Sequence, residues 1–219
     1  MSSESQLKSY LESIKQLSID VIPCDQVLLE SQIPKGNSVL SIETSVLFVD
    51  IRKSSSISQN IGIKNMTKLY KMFSSLAAMA IQENSGKIFQ FAGDGFMAAF
   101  NSTKSSNFRL NAFNAAIRIK YLLDNVYKSI VDNNWLFDCG YAISTGHIYM
   151  TRLKAKPYDL PSFGVFPGEP TNLSSKLCDF AKENEIIIDQ STYDHLKKFD
   201  INFIRTSYKD KVVYKCKLK

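Results

Sequence analysis

The chain has 219 residues, of which 44% are hydrophobic, 22% charged and 11% aromatic. Against a typical domain of roughly 150 residues this predicts one large folded domain, or at most two, and excludes wholesale disorder. Lys and Arg total 27 against 21 Asp and Glu, a net charge of +6 that suits a phosphate-bearing partner but is too mild to demand nucleic acid. Cys24, Cys139, Cys178 and Cys216 are scattered without a C-x-x-C pair, so reduced structural thiols are expected rather than a zinc site or a disulfide framework. No apolar run approaches the roughly 20 residues of a membrane helix, and the start lacks the basic-then-apolar order of a signal peptide. A cytoplasmic protein with no integral membrane segment is the expectation.

In chain order, Leu7, Tyr10, Leu11 and Ile14 recur at helical spacing before the turn signals Ile22-Pro23 and Pro34-Lys35-Gly36-Asn37. Residues 1–40 read as a docking segment ahead of a main domain at 41–219. The run Val46-Leu47-Phe48-Val49 ends at Asp50, as a buried strand with a polar tip would, and a polar loop over 52–56 follows. Met66, Leu69, Tyr70, Phe73, Leu76, Ala77 and residues 79–81 form a helical stripe that stops near Asn84-Ser85-Gly86. Apolar runs at 87–92 and 96–100 flank Gly93-Asp94-Gly95 and predict a β-hairpin. A helix over 109–126 takes its apolar face from Phe113, Ala116, Ile117, Ile119 and Leu122. Strands over 137–144 and 147–150, a loop containing Pro157, Pro161 and Pro167, a helix over 171–181 and a strand at 186–188 complete the series. The lysine-rich stretch 209–219 reads as a solvated last strand, the alternative being peripheral contact with an anionic membrane.

This order of elements describes an α+β sandwich: helices laid on one antiparallel-rich sheet, with a ferredoxin-like core. In such a core the end of the first long strand lies beside the hairpin turn, which makes Asp50 and Asp94 neighbours. Two close carboxylates repel unless a divalent cation neutralises them, and Mg²⁺ favours an oxygen site shared with waters and substrate phosphates. Phosphoryl or nucleotidyl transfer is the chemistry this suggests. Taken singly, each position has a plainer reading, because Asp-Gly is a common hairpin turn and a strand-terminal Asp often caps the next helix.

The segments SVLFVDIRKSSSIS, FQFAGDGFMAAF, GYAISTGHIYM and GEPTNLSSKL span most of the chain after Thr44. In order and spacing they resemble the class III nucleotidyl cyclase catalytic domain. The resemblance implies two divalent cations, Mg²⁺ or Mn²⁺, held by Asp50 and Asp94 with the Ile51 carbonyl as a further contact. Residues 52–56, with Arg52, Ser54 and Ser55, would lie against the triphosphate. Asn172 takes the place of the family's ribose-orienting Asn. Lys176 stands where the family has a transition-state Arg, a point charge in place of a planar fork. Lys209 or Lys211 corresponds to a phosphate-binding lysine in the terminal strand region, with a plain surface charge as the alternative.

Gln90 and Val165 occupy positions where purine cyclases usually carry a Lys and a polar residue that read the base. An amide that both donates and accepts suits uracil or cytosine, which implies UTP or CTP as substrate. The family's active sites are composite, so the resemblance also implies a homodimer. Among stand-alone members, the chain is similar to the pyrimidine cyclases of Pycsar anti-phage systems, in which a cyclic nucleotide activates a separate effector. A non-catalytic nucleotide-binding module is the competing reading, motivated by Lys176, Gln90 and Val165. A nucleic-acid-binding domain has only the charge in its favour, without a recognised aromatic and basic motif.

Overall fold

The computed structural model describes residues 3–34, 36–101, 107–153 and 163–218; Lys35, Lys154, Pro157 and Pro161 lie outside them. Strand β1 (Asp20–Pro23) pairs in parallel with β2 (Ser38–Ile51), which leads into helix α2 (Ser54–Glu83). The hairpin β3 (Gly86–Ala92) and β4 (Gly95–Asn101) precedes α3 (Phe108–Asn125) and the long strand β5 (Cys139–Leu153). The spatial order β3-β4-β2-β5, with α2 and α3 as the crossovers, is the ferredoxin-like core expected. Beyond it, α4 (Glu169–Phe180), β7 (Glu185–Asp189), α5 (Gln190–Leu196), β8 (Ile204–Tyr208) and β9 (Lys211–Lys217) extend the sheet to β5-β7-β9-β8. A short β6 (Phe163–Val165) pairs with the end of β5.

The alternation of β2 divides its side chains between two cores. Leu47, Val49 and Ile51 join Phe96, Phe100, Met66, Leu69, Phe73, Phe113 and Ile119 under α2 and α3. Phe48 joins Met97, Ala142 and Ile187 under Leu173 and Leu177 of α4 on the opposite face. Fully burying one such side chain stabilises by about 1.5–3 kcal/mol, so helices are fixed on both faces of the sheet. Asp50 shares the parity of Phe48 and therefore belongs to the α4 face.

Three local expectations are corrected. The predicted loop at 52–56 is helical from Ser54, and Ile57 and Ile61, buried one turn apart, anchor this first part of α2. Gly62 (φ +75°) then breaks the periodicity that locates a helix in sequence. The two strands expected at 137–144 and 147–150 are one strand. Thr145-Gly146 resembles a break between strands, yet the Ser144 hydroxyl donates to Asp189 Oδ2 at 2.7 Å and the Thr145 N–H donates to the same oxygen at 2.9 Å. The Thr145 hydroxyl also bonds those of Ser45 (2.7 Å) and Thr192 (2.8 Å). Partners distant in sequence thus satisfy these buried groups in the middle of the sheet. Ile117, assigned to the apolar face of α3, is 40% exposed.

The N-terminal segment divides in two. Helix α1 (Ser3–Lys15) leaves Leu7, Leu11 and Ile14 exposed. The following stretch is built into the domain: β1 lies on β2, and Val27 and Ile33 are buried beside Leu40, Ile42 and Met150. Among the described residues no helix is long and apolar enough to cross a membrane.

Candidate active site

Asp50 pairs with Gly95 across β2 and β4, which sets Asp94 beside the strand end. Two glycines permit this approach. Gly93 opens the two-residue turn at φ +65°, and a Cβ at Gly95 would fall 2.8 Å from the Val49 carbonyl oxygen and 2.9 Å from Asp50 Oδ1. The Ile51 N–H donates to the Asp94 carbonyl at 3.3 Å, tying turn to strand. Burial pushes the Asp50 carboxyl up to about 6, and the charge of Asp94 and a hydrogen bond to it push the same way, against the nearby Arg52 guanidinium. Tyr70 of α2 looks onto the pair. Burial first, then Asp94 and Asp50, raises its phenol above the usual range.

Such a pair of oxygen donors fits a hard divalent cation, whose charge would offset both the burial of Asp50 and its repulsion from Asp94. Among the described residues no cluster of three or more His, Cys, Asp or Glu side chains could hold a metal ion. Further ligands would therefore have to come from main-chain carbonyls, water or substrate oxygens.

The loop after Asp50 divides its duties. Lys53 sits in the left-handed region (φ +59°), turning the chain directly into α2, and its ammonium pairs with Glu183 at 2.7 Å. Ser54 and Ser55 open the helix, so their backbone N–H groups belong to a helix N-terminus, a ready anion cradle. The Arg52 side chain instead turns inward, with Nη1 3.1 Å from Asp50 Oδ2 and Nη2 donating to the Cys178 carbonyl. Sequence reasoning placed Arg52 against phosphate and missed these partners; the lone Gly140 within a strand pattern was the available signal of a close approach.

A second group of predicted residues gathers elsewhere. Asn172 and Lys176, one turn apart on α4, are both exposed, while Leu173 and Leu177 of the same helix are buried against the sheet. They line a cleft of about 310 Å³ with Glu169, Tyr208, Lys209 and Lys211. Lys209 (φ +52°) lies in the β8–β9 turn with its ammonium 5.6 Å from the Tyr208 ring centre, and Lys211 is paired with Glu169. A cleft of about 590 Å³, lined in part by Thr145, His147, Tyr149 and Gln190, adjoins it through Glu169, Leu173 and Lys211. Asp50 and Asp94 line neither cleft.

Gln90 and Val165 fall on β3 and β6. Gln90 is exposed just after a bulge that places Ile88 opposite Ala98 and Gln90 opposite Met97. Val165 is half-buried, and the adjacent Phe89 and Phe166 bring their ring centres to 4.5 Å. Each histidine has a structural setting: His147 Nδ1 is 3.3 Å from the Ser41 hydroxyl, and burial, Lys198 and Arg109 lower His195.

A βαββαβ core with paired acids at the end of its first strand is the frame of a nucleotidyl cyclase catalytic domain. Residues 40–218 match the adenylate and guanylate cyclase catalytic domain family, and the chain belongs to that family. A uridylate cyclase from Rhodovulum sp. (strain MB263) is 26% identical over 170 residues, covering 74% of this chain and 69% of that protein. The fold is similar to the adenylyl cyclase CyaB from P. aeruginosa, with TM-score 0.67 and 20% identity over 81% of this chain and 94% of that one. It is likewise similar to a non-canonical dimeric guanylyl cyclase domain from the fungus Blastocladiella emersonii, with TM-score 0.68 and 18% identity over 81% and 95% of the two chains.

Proposed function

We propose that the chain is a homodimeric pyrimidine nucleotidyl cyclase, converting UTP or CTP to the 3′,5′-cyclic monophosphate and pyrophosphate. The observation that carries this reading is the pairing of Asp50 with Asp94 at a glycine-flanked turn, where burial and the neighbouring acid raise the Asp50 carboxyl to about 6. The two carboxylates and the Ile51 carbonyl would hold two divalent cations, Mg²⁺ or Mn²⁺. When bound, these neutralise the reacting phosphates and make the ribose 3′-OH easier to ionise.

The 3′-oxygen attacks the α-phosphorus, its proton passes to solvent, and the bond to the β-phosphate oxygen breaks to release pyrophosphate. Ser54 and Ser55 receive phosphate oxygens at the N-terminus of α2. Asn172 orients the ribose, Lys176 neutralises charge as it develops, and Lys209 and Lys211 attract the triphosphate, Lys211 exchanging Glu169 for it. Asn172 and Lys176 come from the partner protomer, since within one chain they line a cleft without either metal acid. A twofold pair then builds two equivalent composite sites.

Gln90 supports a pyrimidine by offering a donor and an acceptor together, with half-buried Val165 shaping the pocket. The uridylate cyclase relative supports the same choice. As the signal generator of an anti-phage system in the cytoplasm, the enzyme would act through a separate effector that binds its product. Incubation with each of the four triphosphates under Mg²⁺ and Mn²⁺, with products identified by mass spectrometry, tests the reading. Cyclic UMP or cyclic CMP is expected. Cyclic AMP or cyclic GMP as the main product contradicts the base assignment, and nucleotide binding without pyrophosphate release favours a non-catalytic module.

A further inference from the structure

Arg52 follows Asp50 by two residues, and its guanidinium spans the space between the metal acids and α4. Nη1 donates to Asp50 Oδ2 at 3.1 Å; Nη2 donates to the Cys178 carbonyl and lies 3.3 Å from Cys178 Sγ. The main chain is fixed as well, because the Arg52 N–H donates to the Asp138 carbonyl at 2.8 Å. The guanidinium is seated on Gly140, where a Cβ would fall 1.8 Å from Nη2 and 2.4 Å from Cζ and Nε. Only glycine leaves room at that position. Cys178 belongs to the last turn of α4, at the negative end of the helix dipole, and its carbonyl also accepts the Ala181 N–H at 3.0 Å. A cation there uses the second lone pair of that carbonyl and complements the dipole. The same helix carries Asn172 and Lys176.

We propose that Arg52 is a positioning residue: a clamp that ties the Asp50 carboxylate to the C-terminal turn of α4 across Gly140. It thereby fixes the end of β2 and the helix bearing Asn172 and Lys176 relative to one another. Its importance to catalysis rests on the functional reading above; the clamp itself does not. In a dimer with composite sites, each protomer gives Asp50 to one site and Asn172 to the other, so Arg52 links the geometry of the two sites through the body of each chain. A triphosphate contact for the Arg52 side chain would require it to leave these partners.

Hydrogen exchange of the full chain in chelator tests the clamp without metal or substrate. Wild type is compared with Arg52→Ala, with Gly140→Ala, whose methyl group evicts the guanidinium without removing it, and with the double variant. The clamp predicts that amides 177–181 exchange about tenfold faster in each single variant, as loss of a charge-assisted contact allows. The double variant should be no faster than either single, because both remove one interaction. Turnover of the same variants should fall in kcat with KM for the triphosphate changed less than about twofold, the pattern of lost positioning. Unchanged exchange in both singles, a fully additive double variant, or a change confined to KM would overturn the proposal. A wild-type chain without cyclase activity would remove the functional reading and leave the exchange result standing. If Arg52→Ala does not fold, Gly140→Ala decides alone.

Discussion

The two halves of the candidate site are built in opposite ways. At the β2 end, acids are partly withdrawn from water: the Asp50 and Arg52 side chains are 20% and 17% exposed, Gly95 and Gly140 admit close approaches, and Gly93 takes the positive φ of the turn. At the α4 cleft, basic and amide groups stand in solvent, with Lys211 46% and its partner Glu169 70% exposed. The first half is closely packed and stores like-charge repulsion that a cation can relieve. The second is an open cleft in which Lys211 pairs with Glu169 and the exposed Asn172 and Lys176 stand on one face of α4. One chain thus contains a preorganised acid half-site and an open basic half-site.

Removing either acid should have the largest effect. Asp50→Asn or Asp94→Asn is expected to lower cyclic nucleotide formation on the order of a thousandfold, read by product mass spectrometry, because the cation site loses half its charge. The basic half should be more forgiving. Asn172→Ala is expected to cost about a hundredfold in kcat through misorientation of the ribose. Lys176→Arg should retain or raise kcat by restoring a planar fork, whereas Lys176→Ala should lower it; equal activity for all three side chains would remove Lys176 from the site.

Gln90→Lys is expected to shift the ratio of pyrimidine to purine product by about tenfold, since a cationic donor replaces a group that also accepts. The smallest effect is on stability. In chelator, Asp94→Asn relieves the repulsion with Asp50 and should raise the melting temperature by roughly 2–4 °C for each kcal/mol gained in a chain of this size. Added Mg²⁺ should stabilise wild type and leave the variant behind, reversing the order.

The acid half was far more legible in sequence than the clamp beside it. Strand, turn and hairpin signals around Asp50 and Gly93-Asp94-Gly95 are local, and a ferredoxin-like crossover brings them together without knowledge of side-chain packing. Arg52 binding Cys178, 126 residues away, and its seat on Gly140 follow from packing between α4 and β5, which no local periodicity encodes. For the same reason Thr145 and Gly146 read as a break between two strands and prove to be mid-strand, with Thr145 held by Asp189, Thr192 and Ser45. The early half of β2 escapes the apolar pattern because Ser41, Glu43 and Ser45 interrupt it, although Leu40 and Ile42 are buried. The final hairpin, β8 with β9, lies at the sheet edge, where Ile204, Arg205 and Ser207 face solvent and the alternation is weak.

Mixing two inactive chains, Asp94→Asn with Asn172→Ala, is the most direct measurement of whether the two halves come from different protomers. Random exchange gives half heterodimers, each with one intact site of two, so the mixture should regain about a quarter of wild-type cyclic nucleotide production. A mixture that exchanges subunits yet stays as inactive as its parents, while wild type turns over, would contradict the composite site.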